Sequence, residues 1–233
     1  MCVLSLRLPI YRLHGNVFFL FFAVLLTAIV FIILISVTET AFQRIGFTRL
    51  QVVLILVGTF LGSSVNIPLR RVKSVERIVK TEEVRFFWIT YRIPHVAVAE
   101  VSTLVAINLG GAVIPSVVSL YLLRSHPEQA MNALVGVVLT AVVVHLVARK
   151  VPGLGINTPA FIPPITAALI AYLVAPASPS VIAYVSGTLG TLIGADLTNL
   201  KGIGDLGAPV ASIGGAGTFD GVFLSGIIAG LLI

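Results

Sequence analysis

Long apolar runs separated by polar joints set the pattern of this chain. Seven stand out, at about 17–38, 50–68, 97–123, 129–148, 157–175, 180–200 and 214–233. A helix crosses the bilayer hydrocarbon with about 20 residues at about 1.5 Å each. The runs are continuous rather than alternating, which argues against a closed β-barrel. They predict an all-α polytopic membrane protein of about seven transmembrane helices. The domains expected are an N-terminal transmembrane pair over 1–68, a soluble insertion over 69–96 and a five-helix core over 97–233. The second run is broken by Gly62 and ended by Pro68. The fifth opens Asn157-Thr158-Pro159 and carries Pro163-Pro164, which fits a helix entry or an irregular first turn. The first run is too long for a signal peptide and no small-residue cleavage site follows it, so it reads as a span.

The 69–96 insertion alternates in part. Val72, Ser74 and Glu76 stand against Lys73, Val75 and Arg77, then Val84, Phe86 and Trp88 against Arg85, Phe87 and Ile89. This predicts a small β-hairpin with Thr81-Glu82-Glu83 between its halves. It could cap the cytoplasmic face, with Trp88 and Tyr91 as interfacial anchors, or offer an edge strand to an extended substrate.

Composition agrees with the pattern: 58% of residues are hydrophobic and 10% charged, with a mean hydropathy of +1.09. The net charge of +6 changes the picture only once it is mapped. Twelve of the fifteen Lys and Arg fall on one side: the N-terminus, the 69–96 insertion, the fourth–fifth loop and Lys201. Arg44, Arg49 and Arg124 fall on the other. The positive-inside rule places the N-terminus and the insertion in the cytoplasm, the C-terminus outside, and the chain in the cell membrane. The bias explains the basic balance without nucleic acid, and anionic lipid headgroups are the natural partner. Cys2 is the only cysteine, and His14, His95, His126 and His145 lack ligand spacing. No intrachain disulfide, metal site or cofactor is expected. A homo-oligomer stays open.

The candidate chemistry lies in acids inside apolar runs. Asp196 stands in 180–200 and Asp220 in 214–233, and an acidic residue within a span is by default a functional-site hypothesis. Counting back about 20 residues from Ile233 puts Asp220 about 9 Å inside the cytoplasmic end of its span. Counting forward from Ser180 puts Asp196 roughly 6 Å inside the same face. Helices packed about 8–10 Å apart would let the two approach or share a water. The plainer readings are an N-cap for Asp220, and for Asp196 a pairing with Lys201 or a hydrogen bond to Thr198 or Asn199. Asp205, in the literal Gly-x-Gly-Asp at 202–205, reads as a solvated loop acid.

Two apolar runs are interrupted by glycine, at Asn108-Leu109-Gly110-Gly111 with Pro115, and at Ser212-Ile213-Gly214-Gly215. Such pairs point to a binding site between broken helices, or to close helix packing. The expected substrate- or ion-binding set is Asn108, Gly110, Gly111, Asn199, Gly214, Gly215, Gly217 and Thr218, with Glu100 as a further acid.

The segments NLGGAVIPSVVSLYL (108–122), GADLTNL (194–200) and GGAGTFDGVFLSGI (214–227) resemble a family of uncharacterised polytopic proteins of archaea and bacteria, classed as a domain of unknown function. The resemblance covers about 97–233 and implies no activity. A more distant one, of geometry only, is to presenilin-type and prepilin-type intramembrane aspartyl proteases. It implies Asp196 and Asp220 as a catalytic pair activating water against a transmembrane peptide. The chain departs from that pattern. No Tyr-Asp precedes the loop, Thr218-Phe219 separates Gly217 from Asp220, and Pro159-Ala160-Phe161 precedes both acids. The leading expectation is an aspartyl-type intramembrane hydrolase. The alternatives are a proton- or cation-coupled transporter or channel using the same acids and broken helices, and a non-catalytic membrane scaffold.

Overall fold

A computed structural model describes residues 14–151, 155–202, 208–215 and 221–233. The chain divides into two compact units, Met1–Thr40 and Ala41–Ile233. The first holds most of α1 (His14–Arg44). Its hydroxyls are satisfied locally: Thr27 donates to the Ala23 carbonyl and Ser36 to that of Ile32, the usual way to carry a hydroxyl on an apolar helix.

The second unit begins with the end of α1. Thr48 then caps α2 (Arg49–Gly62), accepting from Gln51 N while the Gln51 side chain accepts from Thr48 N. A long hairpin follows, β1 (Asn66–Phe86) and β2 (Ile89–Asn108). Next come a π-helical turn at Leu109–Val113, α3 (Ile114–Ser125) and α4 (Ala130–Val147). The short pair β3 (Arg149–Val151) and β4 (Gly155–Asn157) leads to α5 (Ile162–Val174) and α6 (Pro179–Thr191). A second π turn, Leu192–Asp196, and a 3-10 stretch, Leu197–Gly202, lead to β5 (Val210–Ile213) and α7 (Gly221–Leu231). Prolines open α3, α5 and α6, where a missing N–H costs nothing.

The bundle is built around α6, whose residues Val181 through Thr188 are all buried. Small residues make this packing close. A Cβ on Gly136 would press on Ser186, one on Gly190 on Thr140, and one on Gly194 on the Ala141 carbonyl. Phe42 at the end of α1 packs on Tyr184, ring centroids 5.5 Å apart. Large apolar side chains face outward instead, among them Leu134, Val138, Leu146, Leu169 and Leu173. Small and polar residues inside with large apolar ones outside suit contact with membrane lipid.

Several expectations need correction. The chain is mostly helical but not all-α. Among the described residues two helical stretches, Pro127–Val147 and Pro179–Lys201, are long and apolar enough to cross a membrane. Arg49–Gly62, Leu109–Ser125, Ile162–Val174 and Val222–Leu231 are shorter. The predicted third span at 97–123 is half strand, because residues 97–108 complete β2. Valine-rich sequence serves a buried strand as well as a helix, and periodicity cannot separate them. The fifth run begins as β4 and turns helical only at Ile162.

The hairpin is also far longer than expected, and its turn lies elsewhere. Thr81-Glu82-Glu83 sits within β1, opposite Pro94, Ile93 and Arg92. The chain reverses at Phe87-Trp88, with φ of 45° and 68°. Two consecutive positive φ values are those of a type I′ turn, which favours Asn-Gly. A side chain in that region costs roughly 1 kcal/mol per residue. Phe87→Asn combined with Trp88→Gly is therefore expected to stabilise the hairpin by about 1 kcal/mol or more. Amide hydrogen exchange of β1 and β2 should slow; unchanged protection would mean that the turn carries no strain.

Candidate functional site: a polar crossing at the foot of the sheet

The sheet has the order β1-β2-β5, with β5 parallel to β2 from Leu104↔Val210 to Ile107↔Ile213. Both strands therefore stop together, and the chain leaves them through Asn108 and Gly214. This register brings the two glycine-interrupted segments into contact. A Cβ on Gly111 would overlap the Gly214 carbonyl, one on Gly214 would fall 2.6 Å from Ala112 N, and one on Gly110 would lie 2.6 Å from Ser63 N. Gly214 (φ 81°) and Gly215 (φ 59°) turn the chain in the left-handed region, which glycine enters without cost.

Asn108 is fully buried and uses both ends of its amide. Its Oδ1 accepts from Gly111 N at 2.7 Å, capping the first π turn. Its Nδ2 donates to the Ser63 carbonyl at 2.8 Å and to Asn66 Oδ1 at 3.1 Å. Asn66 Oδ1 also accepts from Ser212 Oγ at 2.6 Å, which ties β1, β2 and β5 at one point. The second π turn then delivers Asp196, whose Oδ2 accepts from Gly214 N at 2.7 Å. The joint thus holds a carboxylate, two amides and a hydroxyl where the glycine segments that leave β2 and β5 meet. π turns inside α-helices are frequent at functional sites.

Of the expected binding set, Asn108, Gly110, Gly111, Gly214 and Gly215 come together here. Asn199 does not: its Nδ2 donates to the Ala195 carbonyl at 2.9 Å and serves the end of its own helix. Thr198 likewise donates to the Gly194 carbonyl and meets His145 Nδ1 at 2.8 Å. Glu100 stands opposite Val75 in the hairpin, eight residues and roughly 26 Å up the strand from Asn108. Gly217, Thr218, Asp205 and Asp220 lie outside the described residues.

Asn66 and Ser212 were missed. Their signal is weak, a lone amide after a helix and a serine two residues before Gly-Gly. Only the strand register turns them into neighbours.

The aspartyl-type hydrolase is corrected by this geometry. Among the described residues no catalytic dyad is evident, and Asp196 is aimed at a backbone N–H. Nor do three or more His, Cys, Asp or Glu gather there to hold a metal. No curated protein and no solved structure matches the chain, so no protease likeness supports that reading. Residues 60–232 match the family described as protein of unknown function (DUF1614). That match contains the whole polar crossing and most of the chain, and the chain belongs to this family.

Proposed function

We propose that this chain is a multi-pass membrane transporter or channel for protons or small cations, with Asp196 as its titratable group. The observation that carries the reading is the meeting of two irregular glycine segments, where the chain leaves β2 and β5, at an acid: Asp196 Oδ2 on Gly214 N, beside the Gly111–Gly214 contact. Broken segments that converge on a site are how transporters present backbone groups to an ion. Asn108, Asn66 and Gly110 frame this meeting point. The basic bias puts the hairpin and the N-terminus in the cytoplasm, and the C-terminus outside. The shorter helices α2, α3, α5 and α7 complete the passes beside the two long ones.

The test is proton uptake into liposomes carrying the purified protein under an imposed membrane potential. Asp196→Asn keeps an oxygen for Gly214 N, so the joint stays folded while the titratable group is gone. About a hundred-fold loss of flux is expected, on the scale of 2–3 kcal/mol of barrier. Flux equal to that of the unsubstituted protein would sink the proposal.

A further inference from the structure

A row of hydroxyls runs along α6 where it meets α7. Tyr184, Thr188 and Thr191 follow at helical spacing, and all three are buried to within 1% exposure. Thr191 Oγ1 lies 3.0 Å from Ser225 Oγ on α7. Gly226, the next residue of α7, leaves out a side chain where Thr188 and Tyr184 stand: a Cβ there would strike Thr188 Oγ1 and lie 3.2 Å from Tyr184 Cε2. Among the described residues neither the Tyr184 nor the Thr188 hydroxyl has a hydrogen-bond partner. Buried hydroxyls without a full complement of partners are costly, and they call for a water or an ion that satisfies them.

The second π turn gives this row an end point. In an α-helix the residue one turn beyond Thr191 is Ala195. In an i→i+5 turn it is Asp196. The turn at Leu192–Asp196 thus sets Asp196 one turn beyond Thr191 on the helix. The contacts agree, since Thr191 meets Ser225 of α7 and Asp196 meets Gly214 on the segment that leads to α7.

We propose that the Tyr184–Thr188–Thr191–Ser225 row is a water-assisted proton path between Asp196 and the far half of the bundle. It rests on the transport reading above and assigns the proton as the transported species. Hydroxyls both donate and accept, so a row of them passes a proton by exchanging hydrogen bonds. No charged residue lies in the row to hold a metal cation. The glycine at 226 leaves the hydroxyls facing backbone rather than a side chain, so a small separation of α7 from α6 admits water between them.

Two measurements test it together. The first is proton flux in liposomes for Thr188→Val and Tyr184→Phe, which keep shape and remove the hydroxyl. At least a ten-fold loss is expected for each, with the melting temperature held or raised because an underbonded buried group is gone. The second needs no transport. In a Cys2→Ser background, Thr188→Cys carries the only thiol, and its infrared S–H band should shift to S–D within minutes in heavy water. Flux that depends on Asp196 but is unchanged in both hydroxyl variants overturns the path and leaves the transport reading standing. A thiol that stays S–H for hours overturns the wetted row. Absence of proton flux in the unsubstituted protein overturns both.

Discussion

Gly111→Ala is expected to destabilise the protein by about 3 kcal/mol, the upper end of ordinary overpacking. The added Cβ would overlap the Gly214 carbonyl. Neither side can yield easily. Gly214 is held by its own N–H on Asp196, and Gly111 by its N–H on Asn108. The obstruction is backbone against backbone, with no flexible side chain to move aside. For a chain of this size that is a fall of about 6–12 °C in melting temperature, readable in detergent by the near-ultraviolet signal of the aromatic residues. Gly58→Ala is the matched control. Its Cβ would meet only Ile114 Cδ1 at 3.6 Å, an ordinary contact, and an alanine inside α2 should gain about 0.5–1 kcal/mol. If both substitutions behaved alike, the close approach of the two glycine segments would be wrong.

Asn108→Ala should cost about as much, for the opposite reason. It creates no clash but leaves the Gly111 N–H and the Ser63 carbonyl without their partners. An orphaned buried group costs about 1–3 kcal/mol, so two give about 3 kcal/mol in sum. Asn108→Asp separates the two ends of the amide. It keeps an acceptor for Gly111 N but sets a second oxygen against the Ser63 carbonyl and Asn66 Oδ1. It should be at least as damaging as alanine at neutral pH. Unfolding in a graded series of denaturing detergent reads both. A shift under about 0.5 kcal/mol for alanine would mean that water replaces the amide, and that the joint is wetter than its burial implies.

The parts of this architecture that were legible from sequence are those where pattern and chemistry agree. The α4 run at 129–148 and the α6 run at 180–200 are strongly apolar, each follows a proline within a few residues, and both are helical where expected. The two Gly-Gly pairs do meet, but each stands where the chain leaves a strand and not inside a helix. The rest failed for identifiable reasons. Residues 97–108 read as helix because a valine-rich stretch joined to a helical run has no boundary of its own. The hairpin turn was misplaced because Thr81-Glu82-Glu83 has turn-like polarity while Phe87-Trp88 has the wrong residues for its own φ angles. Asp196 was singled out, but its partner is a backbone N–H, which has no letter in a sequence. Asn66 was invisible because its neighbours arrive from strand pairings in distant segments.

That last feature bears on how the protein is made. Asn66 and Ser212 are 146 residues apart in the chain, yet they share one hydrogen bond. A ribosome adding about 5–20 residues per second leaves the foot of the hairpin open for roughly 7–30 s after Asn66 emerges. Throughout that interval α3 through α6 are made while Asn66 lacks its partner on the third strand. The hairpin is therefore a nascent ribbon awaiting a late clasp, and β5 is the segment whose arrival closes it.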